Sequence, residues 1–108
     1  MKEVLVYQTK ISREPFSEWF NTLDVDTQVK ADDYIIRLAA GGSRKNIRSV
    51  GRSVFELKVD YGPGYRVYFG ETDTQSVLLL LGGDKSTQPR DIKKAMAYWK
   101  EYNDATSE

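Results

Sequence analysis

The pair of runs VFELKV (54–59) and YRVYFG (65–70), joined by DYGPG, restricts this chain more than any other feature it carries. In the first run Phe55, Leu57 and Val59 alternate with Val54, Glu56 and Lys58; in the second Tyr65, Val67 and Phe69 alternate with Arg66, Tyr68 and Gly70. Successive side chains of a strand point to opposite faces, so each run has one apolar and one polar face. A one-residue slip would set Phe55 and Leu57 against the polar set, which leaves only pairings that keep parity. Two remain. With Val59 opposite Tyr65, Lys58 faces Arg66 and Glu56 faces Tyr68. With Tyr61 opposite Tyr65, Arg66 pairs with Asp60 and Lys58 with Tyr68. The first sets two cations against each other, unfavourable by a few tenths of a kcal/mol unless an anion offsets it. That is the pattern of a phosphate site. The plainer alternative makes Arg66 one half of an ion pair with Glu56 or Asp60, worth ~0 to 1 kcal/mol, and Tyr68 a sheet residue covering apolar surface.

Around this hairpin the remaining elements fall into order. Val4 and Val6 alternate with Leu5 and Tyr7 in a first strand. ISREPFSEWFNTL reads as a helix with Ser12 as N-cap, Pro15 in its first turn and Phe16, Trp19, Phe20 and Leu23 on one face. DVDTQVKADDYIIRLAAGG reads as a second helix, its apolar set Val25, Val29, Ile36 and Leu38 with Tyr34 and Ile35 nearby, stopped by Gly41 and Gly42. The two form a helical hairpin. Residues 43–53 are a basic loop with at most a short strand around 47–50; a further strand covers 76–81 after the ETDTQ connection. A last helix begins near Pro89 and carries Ile92, Ala95, Met96 and Trp99 at helical spacing. The order β-α-α-β-β-β-α defines an α+β domain spanning 1–108, with helices on one face of a small, mainly antiparallel sheet.

The chain has no cysteine and no histidine, which excludes disulfides, thiolate metal sites, thiol nucleophiles and the commonest general base. Its chemistry rests on Lys, Arg, Asp, Glu, Tyr and hydroxyls, and no metal or cofactor is expected. No apolar run approaches the roughly 18 residues of a membrane span, and the N-terminus is a poor signal peptide, so a cytoplasmic protein is expected. Sixteen basic residues balance sixteen acidic ones. Their distribution is uneven: between positions 44 and 58, Arg44, Lys45, Arg48, Arg52 and Lys58 stand against Glu56 alone. These cations read either as a solvated loop or as contacts to nucleic-acid phosphates.

At FELKVDYGPGYRVYF, followed by LLLLGGDKSTQPRDIKKA, the sequence resembles the RelE/ParE toxin superfamily, in particular its HigB-like, phage-related addiction-module killer branch. The likeness runs from Trp19 to the helix ending near Trp99. It implies a RelE/ParE-like fold and a type II toxin that cleaves mRNA on the ribosome. Such an RNase activates a 2′-hydroxyl to attack the adjacent phosphate, stabilises the pentacoordinate charge and releases a 5′-oxygen, with no metal needed. Cations around the phosphate supply electrostatic stabilisation, and a base contributes roughly 10² to 10⁴. By position, the resemblance implies that Arg66 clamps the scissile phosphate, that Lys58 does likewise or shields the leaving group, and that Lys85 completes the cage. Two positions depart from the RelE pattern. Glu56 stands where the first of two strand lysines is expected, and Asp91 lies near the place of a missing tyrosine. Glu56, Asp84 and Asp91 are therefore the candidate bases, against loop capping for Asp84 and first-turn helix stabilisation for Asp91. Arg44, Lys45, Arg48, Arg52, Tyr68 and Gln88 are the candidate RNA contacts, with helix capping by Ser86 and Gln88 as the alternative.

The resemblance leaves two other functions open: a gyrase-poisoning ParE-like toxin, or an inactive fold relative acting as a regulatory binding protein. It also implies a cognate helix-turn-helix antitoxin, beside the ribosome and mRNA, as partner. From the residues alone, Tyr98, Trp99 and Tyr102 are candidate interface anchors, with core packing as the alternative for Trp99.

Overall fold

A computed structural model describes residues 1–73 and 75–107; Thr74, in the expected connection before the last strand, lies outside the described residues. The elements run β1 (Glu3–Val6), α1 (Pro15–Phe20), α2 (Val25–Ala39), β2 (Ile47–Gly51), β3 (Val54–Val59), β4 (Tyr65–Glu71), β5 (Ser76–Asp84), a 3-10 turn (Lys85–Thr87) and α3 (Gln88–Thr106). The strands form one sheet in the order β1-β5-β4-β3-β2. Only the β1–β5 pair is parallel, which makes this the mainly antiparallel α+β fold the sequence leads one to expect.

The hairpin adopts the first of the two registers: Val59 faces Tyr65, Lys58 faces Arg66 and Glu56 faces Tyr68. The basic segment contributes a full fifth strand, β2, which pairs Arg48 with Glu56 and slips by a bulge between Ser49 and Gly51. The adjoining Arg52 and Ser53 both take positive φ in the tight turn into β3.

The sheet is covered on both faces, which corrects the expectation of helices on one. Phe16, Ile35 and Leu38 from α1 and α2 pack on Leu57, Val59, Val67, Phe69, Val77 and Leu79. On the opposite face α3, through Ala95, Ile92, Met96 and Trp99, packs on Val54, Tyr68, Leu78 and Leu80. Val67, Tyr68 and Phe69 on the central strand β4 are consequently 0% exposed. Each large apolar side chain sealed in this way contributes about 1.5–3 kcal/mol. Two glycines allow the helices to approach. A Cβ on Gly82 would overlap the ring of Trp19, and one on Gly70 the ring of Trp99.

Two local expectations fail for identifiable reasons. Ser12 does not cap α1; it sits at φ 65, and the helix starts at Pro15 with Glu14 as an extended N-cap. A residue preceding proline is pushed out of the helical region, so the helix cannot begin earlier. In α2 the buried side chains are Thr27, Ala31, Ile35, Leu38 and Ala39. Val25, Val29 and Ile36, expected in the core, point outward with 71%, 57% and 57% exposure. The small residues at 27 and 31 let the helix lie close to the sheet, and that choice turns the β-branched stripe to solvent.

A candidate anion-binding hollow

The second sheet face is only partly roofed. α3 begins at Gln88 and runs over Val54, Tyr68 and Gly70, while the same parity continued along β3 and β4 brings Glu56, Lys58 and Arg66 beyond its start. Register then assembles the site. Arg48 on β2 faces Glu56, Lys58 faces Arg66, and Arg66 faces Gly83 on β5. A hollow of about 410 Å³ opens there, lined by the cations Lys45, Arg48, Lys58 and Arg66, the amides of Asn46 and Gln88, Ile47, and one carboxylate, Glu56. The positive end of the α3 dipole meets it at Gln88, adding to the bias toward negative charge.

Glu56 is 3% exposed, which for a carboxylate demands partners. Arg48 Nε donates to it at 2.9 Å and Gln88 Nε2 at 2.8 Å, and Arg66 Nε stands 3.8 Å from the same carboxylate. Burial pushes its pKa up, but the hydrogen bonds from Arg48 and Gln88 and the charges of Arg48 and Arg66 more than offset this, holding the carboxyl below its ordinary value. Arg66 is 8% exposed and donates through Nη1 to the Gly64 carbonyl at 3.1 Å, while its Nε is buried with no hydrogen-bond partner. One carboxylate thus serves two guanidiniums, and Arg48 holds the better geometry. Beside them the Tyr68 hydroxyl is also buried without a partner. Burial, then the charges of Glu56 and Asp91, push its pKa well up, which keeps the phenol protonated.

The depressed pKa of Glu56 carries a stability consequence. A carboxyl whose folded pKa lies below its unfolded value stabilises the fold above the unfolded value, here 4.5, and loses that contribution as pH falls through the folded pKa. Denaturant titrations between pH 7 and pH 3 are therefore expected to show a steeper loss of stability for the parent chain than for Glu56→Gln below about pH 4.5. Parallel curves would remove the ion-paired role.

The other expected site residues are dispersed. Lys85 is exposed at the start of the 3-10 turn, outside the lining, so two of the three expected cage cations meet in the hollow. Asp84 caps that turn, accepting from the Ser86 hydroxyl and from the Ser86 backbone at 2.8 Å, and the hydroxyl bond first holds its carboxyl below its ordinary value. Asp91 is buried in the first turn of α3, accepts the Thr87 hydroxyl, and fills the space a side chain at Gly83 would need. Arg44 pairs with Glu71 at 3.0 Å. Arg52 lies at the far end of the β2–β3 hairpin beside Met96 and Trp99. Tyr68, wholly buried, is outside the lining and has no surface for a base to stack on. Of the expected RNA contacts, Lys45, Arg48 and Gln88 line the hollow. Asn46 escaped sequence reasoning; it joins the site because its carbonyl accepts the Lys58 amide at 2.9 Å, a contact that only the strand register reveals. Tyr98 stacks on Tyr7 at 5.1 Å and Trp99 on Tyr102 at 5.9 Å, so the three candidate interface aromatics are engaged in packing.

A five-stranded sheet with helices on both faces, and a hollow lined by four cations and one carboxylate where one helix stops short, define a small α+β protein. The family described as "Phage derived protein Gp49-like (DUF891)" matches residues 18–100, a stretch that contains every residue lining the hollow. The chain belongs to this family. It is also similar to an uncharacterized protein of Haemophilus influenzae, 43% identical over 81 residues that cover 74% of this chain and 81% of the relative. Among the described residues no helix is long and apolar enough to cross a membrane, and no group of three or more acidic side chains is placed to hold a metal ion.

Proposed function

We propose that this chain is the toxin of a type II toxin–antitoxin pair and acts as a ribosome-dependent mRNA endoribonuclease. Membership of the Gp49-like family supports the coarser part, a phage-derived addiction-module protein of the RelE/HigB-like kind with an antitoxin as partner. The observation that carries the finer part is the buried guanidinium of Arg66, its Nε without a hydrogen bond, in the wall of a hollow holding four cations against one carboxylate.

In this reading the scissile phosphate sits in the hollow that Arg66 and Lys58 line. Solvent water takes the 2′-hydroxyl proton as the 2′-oxygen bonds to phosphorus, the Arg66 guanidinium and the Lys58 ammonium stabilise the pentacoordinate charge, and the 5′-oxygen, shielded by Lys58, leaves and takes a proton from water. Preorganised cations in a partly dry site act without reorganising, which makes this the largest single contribution to such a reaction. Arg48 and Lys45 hold neighbouring phosphates. Glu56 is unsuited to the general base: with two hydrogen-bond donors on it and its pKa lowered, it has little drive to take a proton. Its role is to hold Arg48, Gln88 and Arg66 in place. Asp84 and Asp91, each spent on a local hydroxyl, stay outside the chemistry.

Mapping mRNA 5′ ends in cells after brief induction tests the reading. New ends inside translated codons, absent when translation initiation is blocked, are expected. Intact transcripts with accumulating DNA breaks would instead mark a gyrase poison.

A further inference from the structure

The outward stripe on α2 has no intramolecular explanation. Val25, Val29 and Ile36 recur at helical spacing on one side of the helix and are all more than half exposed. β-Branched residues are poor choices for solvent-facing helix positions, because they lose rotamer freedom against the preceding turn. Val25 and Val29 stand one turn apart and Ile36 two turns further on, with Asp32 and Asp33 flanking the gap, so one side of the helix carries an aligned set of exposed apolar side chains. The strip is bordered by carboxylates. Asp32 lies on one side, Asp26 and Asp33 on the other, all three exposed and none in an ion pair among the described residues. Lys30 lies three residues before Asp33 and four after Asp26 without an ion pair to either among the described residues, and Arg37 lies over the Tyr34 ring at 4.5 Å. Partial burial, and after it the neighbouring charge of Asp33, raise the pKa of Asp32.

We propose that this face of α2 is a docking surface for an amphipathic helix of a partner protein, one whose apolar ridge is flanked by lysine or arginine. Apolar anchors at i, i+4 and i+11 fit a helix laid along the strip, and the bordering carboxylates select its flanks. A second copy of this chain is a poorer occupant. A two-fold axis through the middle of the strip brings each Asp32 beside its own copy, and like charges at a close contact oppose association. The surface belongs to the sheet face covered by α1 and α2, whereas the hollow opens on the α3 face. The inference therefore stands whether or not the hollow cleaves RNA.

The test is a nuclear magnetic resonance titration of the full, isotope-labelled chain with two synthetic helical peptides. Both carry the same leucine ridge; one is flanked by lysine and the other by glutamate. The lysine peptide is expected to shift the amides of residues 25–37, and to bind about tenfold more weakly to Val29→Ser/Ile36→Ser and to Asp32→Asn/Asp33→Asn. The glutamate peptide is expected to bind at least about tenfold more weakly to the parent chain. Because every substituted side chain is exposed, unfolding temperatures should be nearly unchanged; if the serine variant unfolds early, the asparagine variant alone decides. Equal binding of the two peptides, or shifts that map to another element, would overturn the proposal. So would a concentration-dependent dimer in sedimentation that Ile36→Ser abolishes, since a second copy would then own the face.

Discussion

Arg66→Met should leave the protein as stable as its parent, or slightly more so, while reducing RNA cleavage by about 10²- to 10³-fold, the usual cost of deleting one preorganised charge-stabilising donor. The two halves of this expectation come from the same geometry. Arg66 is nine-tenths buried, its Nε makes no hydrogen bond and only a 3.8 Å ion pair with Glu56, and it faces Lys58 across the β3–β4 pair. A buried guanidinium with an unsatisfied donor and a cation opposite it is a stability cost, and removing it is tolerated where the carboxylate it leaves behind keeps other partners. Methionine keeps the stem that covers the sheet. Glu56 retains Arg48 and Gln88, so no carboxylate is stranded. Arg66→Lys, which keeps the charge but loses the planar fork, should fall between parent and Met. The checks are denaturant unfolding of the purified chains, growth after induction and 5′-end mapping. A marked loss of stability in Arg66→Met, or full toxicity from a folded variant, would show that Arg66 is a structural ion-pair member and that the hollow is not where the phosphate binds.

The residues that make this prediction possible differ in how far the sequence exposed them. The Lys58–Arg66 pairing was one of two registers allowed by strict period two, and the choice between them depends on how tightly DYGPG closes, with Gly62 and Gly64 both at positive φ. Lys45, Arg48 and Gln88 stood out as polar groups near the hairpin, but their convergence on one hollow required β2 to become a full strand and β5 to run on to Asp84. Glu56 read as a candidate base because its environment was invisible: its partners come from β2, β4 and the start of α3, three segments distant in sequence. Lys85 could be placed only once β5 ended at Asp84 and a 3-10 turn carried the chain away from the lining. The face of α2 was misjudged for a different reason. Apolar periodicity does not distinguish a stripe that packs on the sheet from one left to the surface, and here the closely packed side is made of Thr27 and Ala31.

The placement of α3 on the far face was the largest gap, and the glycines of β4 and β5 show why helix docking is encoded in what is missing. At Gly82 the Trp19 ring lies where a Cβ would stand, and at Gly70 the Trp99 ring does the same on the other face. A glycine within a strand ordinarily weakens it, so two of them in the central strands of the sheet mark places where something else must come close. Gly82→Ala is therefore expected to cost about 2–3 kcal/mol, at the upper end for overpacking, because the listening neighbour is a bulky indole pinned between Phe16 and Tyr65 rather than a flexible chain end. For a domain of this size that corresponds to a fall in unfolding temperature on the order of 10–20 °C. Trp19→Leu alone should also destabilise, by leaving the Gly82 groove empty. Combined, the two substitutions should cost clearly less than the sum of the singles, since the smaller side chain vacates the volume that the new methyl needs; a coupling of about 1 kcal/mol or more is expected. Strict additivity in calorimetry or urea unfolding would mean that the indole moves aside freely and that Gly82 is not what seats α1 on the sheet. The same cycle at Gly70 and Trp99 reads the opposite face, and its outcome bears on function: α3 docked through Trp99 sets where that helix begins, and hence where Gln88 meets Glu56 and the hollow is left open.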